Sequence, residues 1–296
     1  MIDESQISAL FYLLEDPDDE VYSAIKQKLV SYGSELIPEL ENQREATESS
    51  LVQERISDIL RDIRFQVLCD RLDYWSEFKS YDLLKGVILA CSYQFPETNP
   101  ESLTFTVLNI KREIARTIGG LKPQNSIILL NSIFFGDYGF RVVNKEGISP
   151  KNYFINYLIS NKKGEIIAIC LLYIILSREL NLSVHLAIVP NNRFLLACYE
   201  QFNLHQYSNP EEQKQQLLFF IDPTRKGNIL SVQEVNRRFF EQEEFDLNKL
   251  KRLNNKGMLV LLFELLQKYY ENANNTVEKI KEIQILIDIL SKKDKV

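Results

Sequence analysis

Few side chains in this sequence could do nucleophilic or metal chemistry at neutral pH. There are four cysteines and two histidines: Cys69, Cys91, Cys170, Cys198, His185 and His205. Successive cysteines are 22, 79 and 28 positions apart, so the chain has no C-x-x-C pair and no zinc-ribbon spacing. We therefore predict no metal site and no cofactor. The cysteines are expected to be small buried apolar side chains in a reduced compartment.

The amino-acid composition argues against nucleic acid and anionic membranes as partners. The 296 residues carry 35 basic and 41 acidic side chains, and 45% of them are hydrophobic. This balance predicts a folded acidic protein that attracts neither nucleic acid nor an anionic membrane as a whole. The longest apolar run, residues 166–176, has 11 residues and is too short to span a bilayer. The start MIDESQISAL is unlike a signal peptide, so we expect a cytoplasmic protein.

The elements that must position these residues change character along the chain. Residues 1–75 show helical stripes such as Val21, Ile25 and Leu29, with Asp16 as the expected cap of that helix. The D-P-D-x-x-V turn before it resembles HEAT-type helical repeats. Because repeat units need neighbours to cover their apolar faces, we expect this region to dock on the rest of the chain.

Residues 76–242 combine further helices with strands. A helix from Gly164 to about Leu180 is apolar on every side, which predicts burial among the three strands that come after it. Ser231 and Glu234 form a capping box for one more helix, and two long helices end the chain. The predicted strands are residues 183–189, 193–199 and 217–222, with a possible short fourth at 228–230. The predicted fold class is α+β, mostly helical, with a small antiparallel sheet.

Four motifs from residue 129 to residue 239 carry a family resemblance. In order they read LLNSIFFGDYGF, SPKNYFINYLISNKKGEI, ICLLYIILSRELNLSVHLAIVP and FFIDPTRKGNILSVQEV. Their order and spacing resemble the transglutaminase-like superfamily, in the branch of bacterial SirB-type proteins. The resemblance implies a core of the papain-like cysteine protease type between a HEAT-like helical layer and a tetratricopeptide-like helical hairpin. The implied domains are residues 1–75, 76–242 and 243–296.

Active members of this superfamily use a Cys-His-Asp arrangement, and the resemblance implies where each residue would fall. The thiol position at the start of the buried helix is Ile166, preceded by Glu165. The histidine position is Asn192 or Arg193, depending on the anchor of the match. Only the aspartate position is kept, as Asp222. These five residues would line a vestigial groove with no nucleophile and no base.

A displaced triad of Cys170, His185 and Asp222 is the alternative. Cys170 lies about one turn beyond the expected thiol position, and His185 lies on the next predicted strand. Its apolar neighbours Ile169 and Leu171 favour a buried thiol over a reactive one. The expected function is therefore a non-catalytic module that binds a protein partner, as a scaffold or regulator. The alternative function is a cysteine hydrolase or acyltransferase with the displaced site.

Overall fold

The structure is a computed structural model that describes residues 4–200, 217–240, 251–273 and 277–292. The chain divides into two compact units, Met1–Tyr74 and Trp75–Val296, here called the N-terminal and C-terminal units. The described residues form twelve α-helices and a small antiparallel sheet, so the predicted α+β class is confirmed. The further predicted division at residue 242 stays a prediction.

Helices dominate both units. The N-terminal unit contains α1 (Glu4–Tyr12), α2 (Asp19–Ser31), α3 (Ile37–Ala46) and α4 (Ser50–Tyr74). The C-terminal unit contains α5 (Leu83–Gln94), α6 (Pro100–Ile118), α7 (Pro123–Ser132), α8 (Ile155–Asn161), α9 (Ile166–Glu179), α10 (Val232–Phe239), α11 (Asn255–Glu271) and α12 (Val277–Ser291). Its strands are β1 (Arg141–Val142), β2 (Lys163–Gly164), β3 (Ser183–Val189), β4 (Arg193–Tyr199), β5 (Leu217–Asp222), β6 (Asn228–Leu230) and β7 (Lys251–Arg252).

The N-terminal unit covers its own apolar stripes. Ile25 and Leu29 of α2 are buried in one cluster with Ile56 and Ile63 of α4. The cap of α2 is Asp18, whose carboxylate accepts a hydrogen bond from the Glu20 N–H, and not Asp16 as the sequence suggested. Asp16 instead accepts from the Asp18 N–H, which shapes the turn that leads into the helix.

Arg55 is the buried charge of the N-terminal unit. Its guanidinium donates to the carbonyl oxygens of Leu14 and Asp16, which end the segment between α1 and α2. The same group lies 3.7 Å from the Asp19 carboxylate and stacks over the Tyr22 ring. Arg55 therefore fixes the α1–α2 connection to α4 by satisfying backbone carbonyls that would otherwise lack partners.

The sheet of the C-terminal unit has five strands in the order β6-β5-β4-β3-β7, all antiparallel. The three longer strands and the short β6 match the sequence prediction, but β7 was not predicted. The helix that follows β7 begins at Asn255, where the Asn254 side chain caps the first turn. A two-residue strand has no period to read, so β7 carries no sequence signal.

The two faces of this sheet are covered by different helices. On one face, Ala187, Ala197 and Phe220 pack with Val235 of α10 and with Phe240. On the other face, Cys198 lies close to Tyr173 of α9. Because side chains alternate along a strand, residues of even and odd number on β3 belong to different faces. The sheet is therefore a partition between α9 and α10.

Helix α9 is the buried centre of the C-terminal unit. Ile169, Cys170 and Tyr173 have no exposed surface, as the apolar sequence predicted. Ile166 is the exception, because the first residue of the helix is only half-buried. Ahead of the helix, β2 pairs in parallel with β1, Lys163 opposite Arg141, and neither strand was among those that the sequence predicted. This pairing anchors the backbone just before α9.

Candidate functional site

Three chain segments end at the same edge of the sheet in the C-terminal unit. Helix α9 is followed after three residues by β3, so its start lies toward the end of that strand. The pairing of Leu196 with Ile221 sets the end of β5 beside the start of β4. The short helical turn Pro223–Arg225, which follows β5, contacts α9, β1 and β4. We call this region, with Glu165, Ile166, Asn192, Arg193 and Asp222, the α9 site.

Glu165 caps the start of α9 with its own side chain. Its Oε2 atom accepts a hydrogen bond of 2.9 Å from the Ile167 N–H, and the Ile166 N–H also contributes. Burial raises the pKa of Glu165 to about 7, and these two backbone hydrogen bonds oppose the rise. The carboxyl group is therefore poised to change its charge near neutral pH while it holds the free N–H groups of the helix.

Ile166 and Cys170 of α9 provide no accessible nucleophile. Ile166, to which the family resemblance assigns the thiol position, presents a half-buried branched hydrocarbon. Cys170 is fully buried one turn further on. Burial raises the pKa of the Cys170 thiol well above its usual value, and the nearby Glu165 and Asp222 carboxylates raise it further. This thiol stays protonated and out of reach of solvent.

The turn between β3 and β4 supplies Asn192 and Arg193. Asn191 and Asn192 adopt left-handed backbone conformations, with φ of 63° and 53°, which asparagine tolerates better than most residues. Arg193 is exposed, and its guanidinium carbon lies 5.5 Å from the centre of the Phe239 ring on α10. An amide and a guanidinium cannot accept a proton at neutral pH, so this turn provides no general base.

Asp222 ends β5 and is almost completely buried, with 6% of its surface exposed. Its Oδ1 atom accepts from the Thr224 N–H at 2.9 Å and from the Thr224 hydroxyl. Its Oδ2 atom lies 3.8 Å from Nε of the exposed Arg225. These contacts make Asp222 the cap of the turn Pro223–Arg225. The carboxylate is committed to its own turn, and among the described residues it forms no hydrogen bond with Asn192 or Arg193.

His185 and Cys170 lie on opposite sides of the sheet. The His185 ring packs edge-to-face on Tyr199, which belongs to the cluster on the α10 face. Its Nε2 atom lies 3.3 Å from the Ser183 hydroxyl. Cys170 belongs to α9 on the other face. The structure therefore brings Cys170 near Asp222 but does not bring His185 to either of them; His205 falls outside the described residues.

Sequence reasoning missed Asn131 of α7, which anchors the loop after Asp222. Its side-chain amide donates a hydrogen bond of 2.8 Å to the Gly227 carbonyl oxygen, while its Oδ1 atom is buried without a partner among the described residues. Gly227 has a φ of 74°, and a β-carbon there would overlap Phe135 and Asn131 Oδ1. The signal was present in the motif LLNSIFF, where a polar residue interrupts an apolar run.

A second missed feature is a group of tyrosines beside Glu165. Burial raises the pKa of Tyr153, and the Glu165 carboxylate and Tyr269 raise it further. The ring of Tyr153 packs edge-to-face on Tyr269 of α11 at 6.2 Å. These contacts connect the start of α9 to the C-terminal helices, and no local sequence pattern could have predicted the contact with Tyr269, which is more than 100 residues from Tyr153 and Glu165.

Comparison with known proteins identifies the family. A family model described as the transglutaminase-like superfamily matches residues 101–280, which is more than half of the chain. This chain belongs to the transglutaminase-like superfamily. The matched segment includes α9, β3, β4 and β5, and so contains the whole α9 site. Neither the curated proteins nor the solved structures gave a significant match.

Membrane spans and metal clusters are both absent from the described residues of this superfamily member. None of the helices there is long and apolar enough to cross a membrane. The same part of the chain holds no group of three or more His, Cys, Asp or Glu side chains that could bind a metal ion.

Proposed function

We propose that this chain is a non-catalytic member of the transglutaminase-like superfamily, in its SirB-type branch, that acts as a protein-binding scaffold or regulatory module in the bacterial cytoplasm. In this proposal the protein has the fold of the family but lacks its catalytic activity. The observation that carries it is at the start of α9, where the Glu165 carboxyl group accepts hydrogen bonds from the backbone N–H groups. The resemblance assigns the thiol position there to Ile166, which has no nucleophile.

Acyl transfer needs free donors where negative charge develops on the substrate oxygen. At the start of a helix these donors are the unpaired backbone N–H groups, and here Ile166 and Ile167 give theirs to the Glu165 carboxyl group. An ionised carboxylate at that place would also repel a developing oxyanion. The capped helix start therefore supports a binding role, independently of the missing thiol.

The remaining residues support the same proposal. The Cys170 thiol is buried and has a raised pKa, so little thiolate forms at neutral pH. The described histidine, His185, lies on the other face of the sheet. Asp222 caps its own turn and so has no imidazole to orient.

A hydrolysis assay tests this proposal. Purified protein is incubated with a p-nitrophenyl ester and with a peptide amide at pH 6 to 9, beside Cys170→Ala and a matched Cys91→Ala variant, whose cysteine is equally buried. We expect rates equal to the buffer background for all three proteins. Hydrolysis that Cys170→Ala abolishes and Cys91→Ala leaves intact would instead establish the displaced cysteine hydrolase.

Native labelling with a thiol reagent gives a second readout. Because Cys91, Cys170 and Cys198 are buried, we expect Cys69, which is half-buried, to react first. Rapid modification of Cys170 in the folded protein would contradict the proposal, since a reactive thiol needs access to solvent. Affinity capture from a bacterial lysate, with the bound proteins identified by mass, would then name the partner.

A further inference from the structure

Six basic residues lie at the end of the sheet that holds the α9 site, with the Arg193 guanidinium turned toward Phe239 of α10 on the face opposite α9. We call them the cationic rim: Arg141, Lys162, Lys163, Arg193, Arg225 and Lys226. Arg141 and Lys163 are paired residues of β1 and β2. Arg225 belongs to the turn that contacts β1, β4 and α9, and Arg193 is the first residue of β4. Four separate stretches of the chain therefore bring cations to one end of the sheet.

Most of the rim is exposed and not neutralised. All its members except Lys162 are exposed; Lys162 is half-buried, with its ammonium group 5.5 Å from the Tyr138 ring centre and 4.8 Å from that of Phe140. Arg225 lies near the buried Asp222. Throughout the part of the chain that the structure describes, Arg141, Lys163, Arg193 and Lys226 form no ion pair. Their charges are available to an incoming anion.

The carboxylates close to the rim are fewer and less exposed. Asp137 and Glu146 are exposed on neighbouring segments, and the exposed Glu113 accepts a hydrogen bond from the hydroxyl of Tyr138, beside Lys162. Asp222 is buried against Thr224, and Glu165 is half-buried at the start of α9 with a pKa of about 7. The six cations outnumber these carboxylates, so the rim has a net positive charge, and a raised pKa of Glu165 adds to it.

The positive charge also stands out against the charge of the whole chain. Residues 1–74 carry 17 acidic and 7 basic side chains, whereas residues 75–296 carry 24 acidic and 28 basic ones. The whole chain has a net charge of −6, but its C-terminal unit has more basic than acidic side chains. A local cationic surface on such a unit steers anionic partners and selects among them.

We infer that the cationic rim binds an acidic peptide segment of a partner protein. The inference rests on the proposed binding function and names the chemistry of the partner. Separate, exposed Lys and Arg side chains suit the spaced carboxylates of a peptide. Nucleic acid fits less well, because Phe140 is fully buried and Tyr138 is half-buried, stacked on Phe140 and next to Lys162.

A binding assay with a defined probe tests this inference. The probe is a fluorescein-labelled (Glu-Ser)₅ peptide, with (Gln-Ser)₅ as the uncharged control, and fluorescence anisotropy gives Kd for the full chain. We expect (Glu-Ser)₅ to bind and (Gln-Ser)₅ not to bind. Binding of (Glu-Ser)₅ should weaken as NaCl is raised from 50 to 300 mM, as screening predicts.

The test variant is Lys163→Gln with Lys226→Gln, which removes two rim charges. Its matched control is Lys85→Gln with Arg112→Gln, two exposed cations on α5 and α6. Arg112 follows Lys111, which pairs with Glu179 at the far end of α9. Lys85 lies near Ser80, which is tied through Asn255 to Arg178 at that same end. We expect about a tenfold rise in Kd for the rim variant and less than a twofold change for the control.

Each other outcome has a definite meaning. Equal effects of the two double variants, or no binding of (Glu-Ser)₅, would overturn the inference. Tighter binding of a single-stranded ten-nucleotide DNA, with the same loss in the rim variant, would replace the acidic peptide by nucleic acid. If the rim variant has a lowered Tm, the inference is tested instead by the Kd of the single variant Arg141→Gln and by the salt dependence of Kd for the unmodified chain. These results do not depend on the hydrolysis assay, so the inference can fail while the proposed function stands.

Discussion

Glu165 is the residue whose ionisation is most closely coupled to the α9 site. Its pKa is raised from 4.5 to about 7, so the folded chain binds its proton more tightly than the unfolded chain does. Protonation of Glu165 therefore adds stability that is fully present below about pH 4.5 and is lost as pH rises through 7. From the size of the shift, this contribution is about 1–3 kcal/mol.

The variant Glu165→Gln, which stays neutral and keeps an acceptor for the Ile167 N–H, should remove this pH dependence. We expect it to be more stable than the parent chain at pH 8, and the difference should shrink toward zero near pH 5. Urea unfolding of both proteins at the two pH values measures this, and the histidines cancel because both chains contain them. A constant difference between the proteins would show that Glu165 does not titrate in this window.

Asp222 provides a second test at the residue scale. Asp222→Ala removes the acceptor of the Thr224 N–H and leaves that turn uncapped, so the free energy of unfolding should fall by about 1–2 kcal/mol. Asp222→Asn keeps an oxygen at the Oδ1 position and should cost less. Thermal unfolding compares the three proteins. If the Asn variant loses as much as the Ala variant, the negative charge, and not the cap, is what Asp222 contributes.

The sequence assigns positions to this site but not contacts. The order of the motifs assigns Ile166, Asn192, Arg193 and Asp222, because a motif fixes positions along the chain, and these assignments stay predictions. The cap by Glu165 could not be read in this way, since glutamate is a common helix residue and capping depends on its rotamer. The motif LLNSIFF marks Asn131 as a polar residue in an apolar run, but its hydrogen-bond partner Gly227 is 96 positions away and cannot be read from that motif.

At the scale of elements, α5 packs closely against the Trp75 side chain, which precedes it in the chain. Trp75 is fully buried, and its indole N–H donates to the Asp82 carbonyl oxygen at 2.9 Å. A β-carbon on Gly86 of α5 would lie less than 3.0 Å from three atoms of the Trp75 ring. Gly86 is thus required by packing, although glycine lowers the helix propensity of α5.

Gly86→Ala should therefore lower the free energy of unfolding by about 1–3 kcal/mol, because the indole or the helix must shift. Gly136→Ala is the matched control, since a β-carbon there meets no atom within 4 Å. Urea unfolding followed by Trp75 fluorescence, from the one tryptophan of the chain, reports both changes. Equal stability of the two variants would mean that the contact between α5 and Trp75 relaxes without cost.

Long elements were predictable and short ones were not. Helix α9 and strands β3, β4 and β5 have enough residues for a hydrophobic period to appear, and the structure has them close to the predicted bounds. Strands β1, β2 and β7 have two residues each, and tertiary packing alone decides them. The half-buried Ile166 shows the same limit, because a helix start is shaped by the residues that pack ahead of it.

At the scale of the molecule, charge is divided unevenly between the two units. The N-terminal unit has 17 acidic and 7 basic side chains, and its core is built from its own four helices. Some acidic groups are paired, as in Lys26–Asp62 at 2.7 Å and Arg64–Glu41, but most are not matched in number by cations. The expectation that this unit docks on the rest, made from its apolar stripes, stays a prediction, since those stripes are covered within the unit.

Excess charge of one sign opposes compaction, and added salt screens that repulsion. We therefore expect NaCl to stabilise the N-terminal unit: between 20 and 300 mM, amide hydrogen exchange in α2 and α4 should slow several-fold. The C-terminal unit, with 24 acidic and 28 basic side chains, should change much less, and its α9 amides serve as the internal control. Faster exchange of α2 and α4 at high salt would show instead that ion pairs such as Lys26–Asp62 outweigh the repulsion, because screening weakens attraction as well.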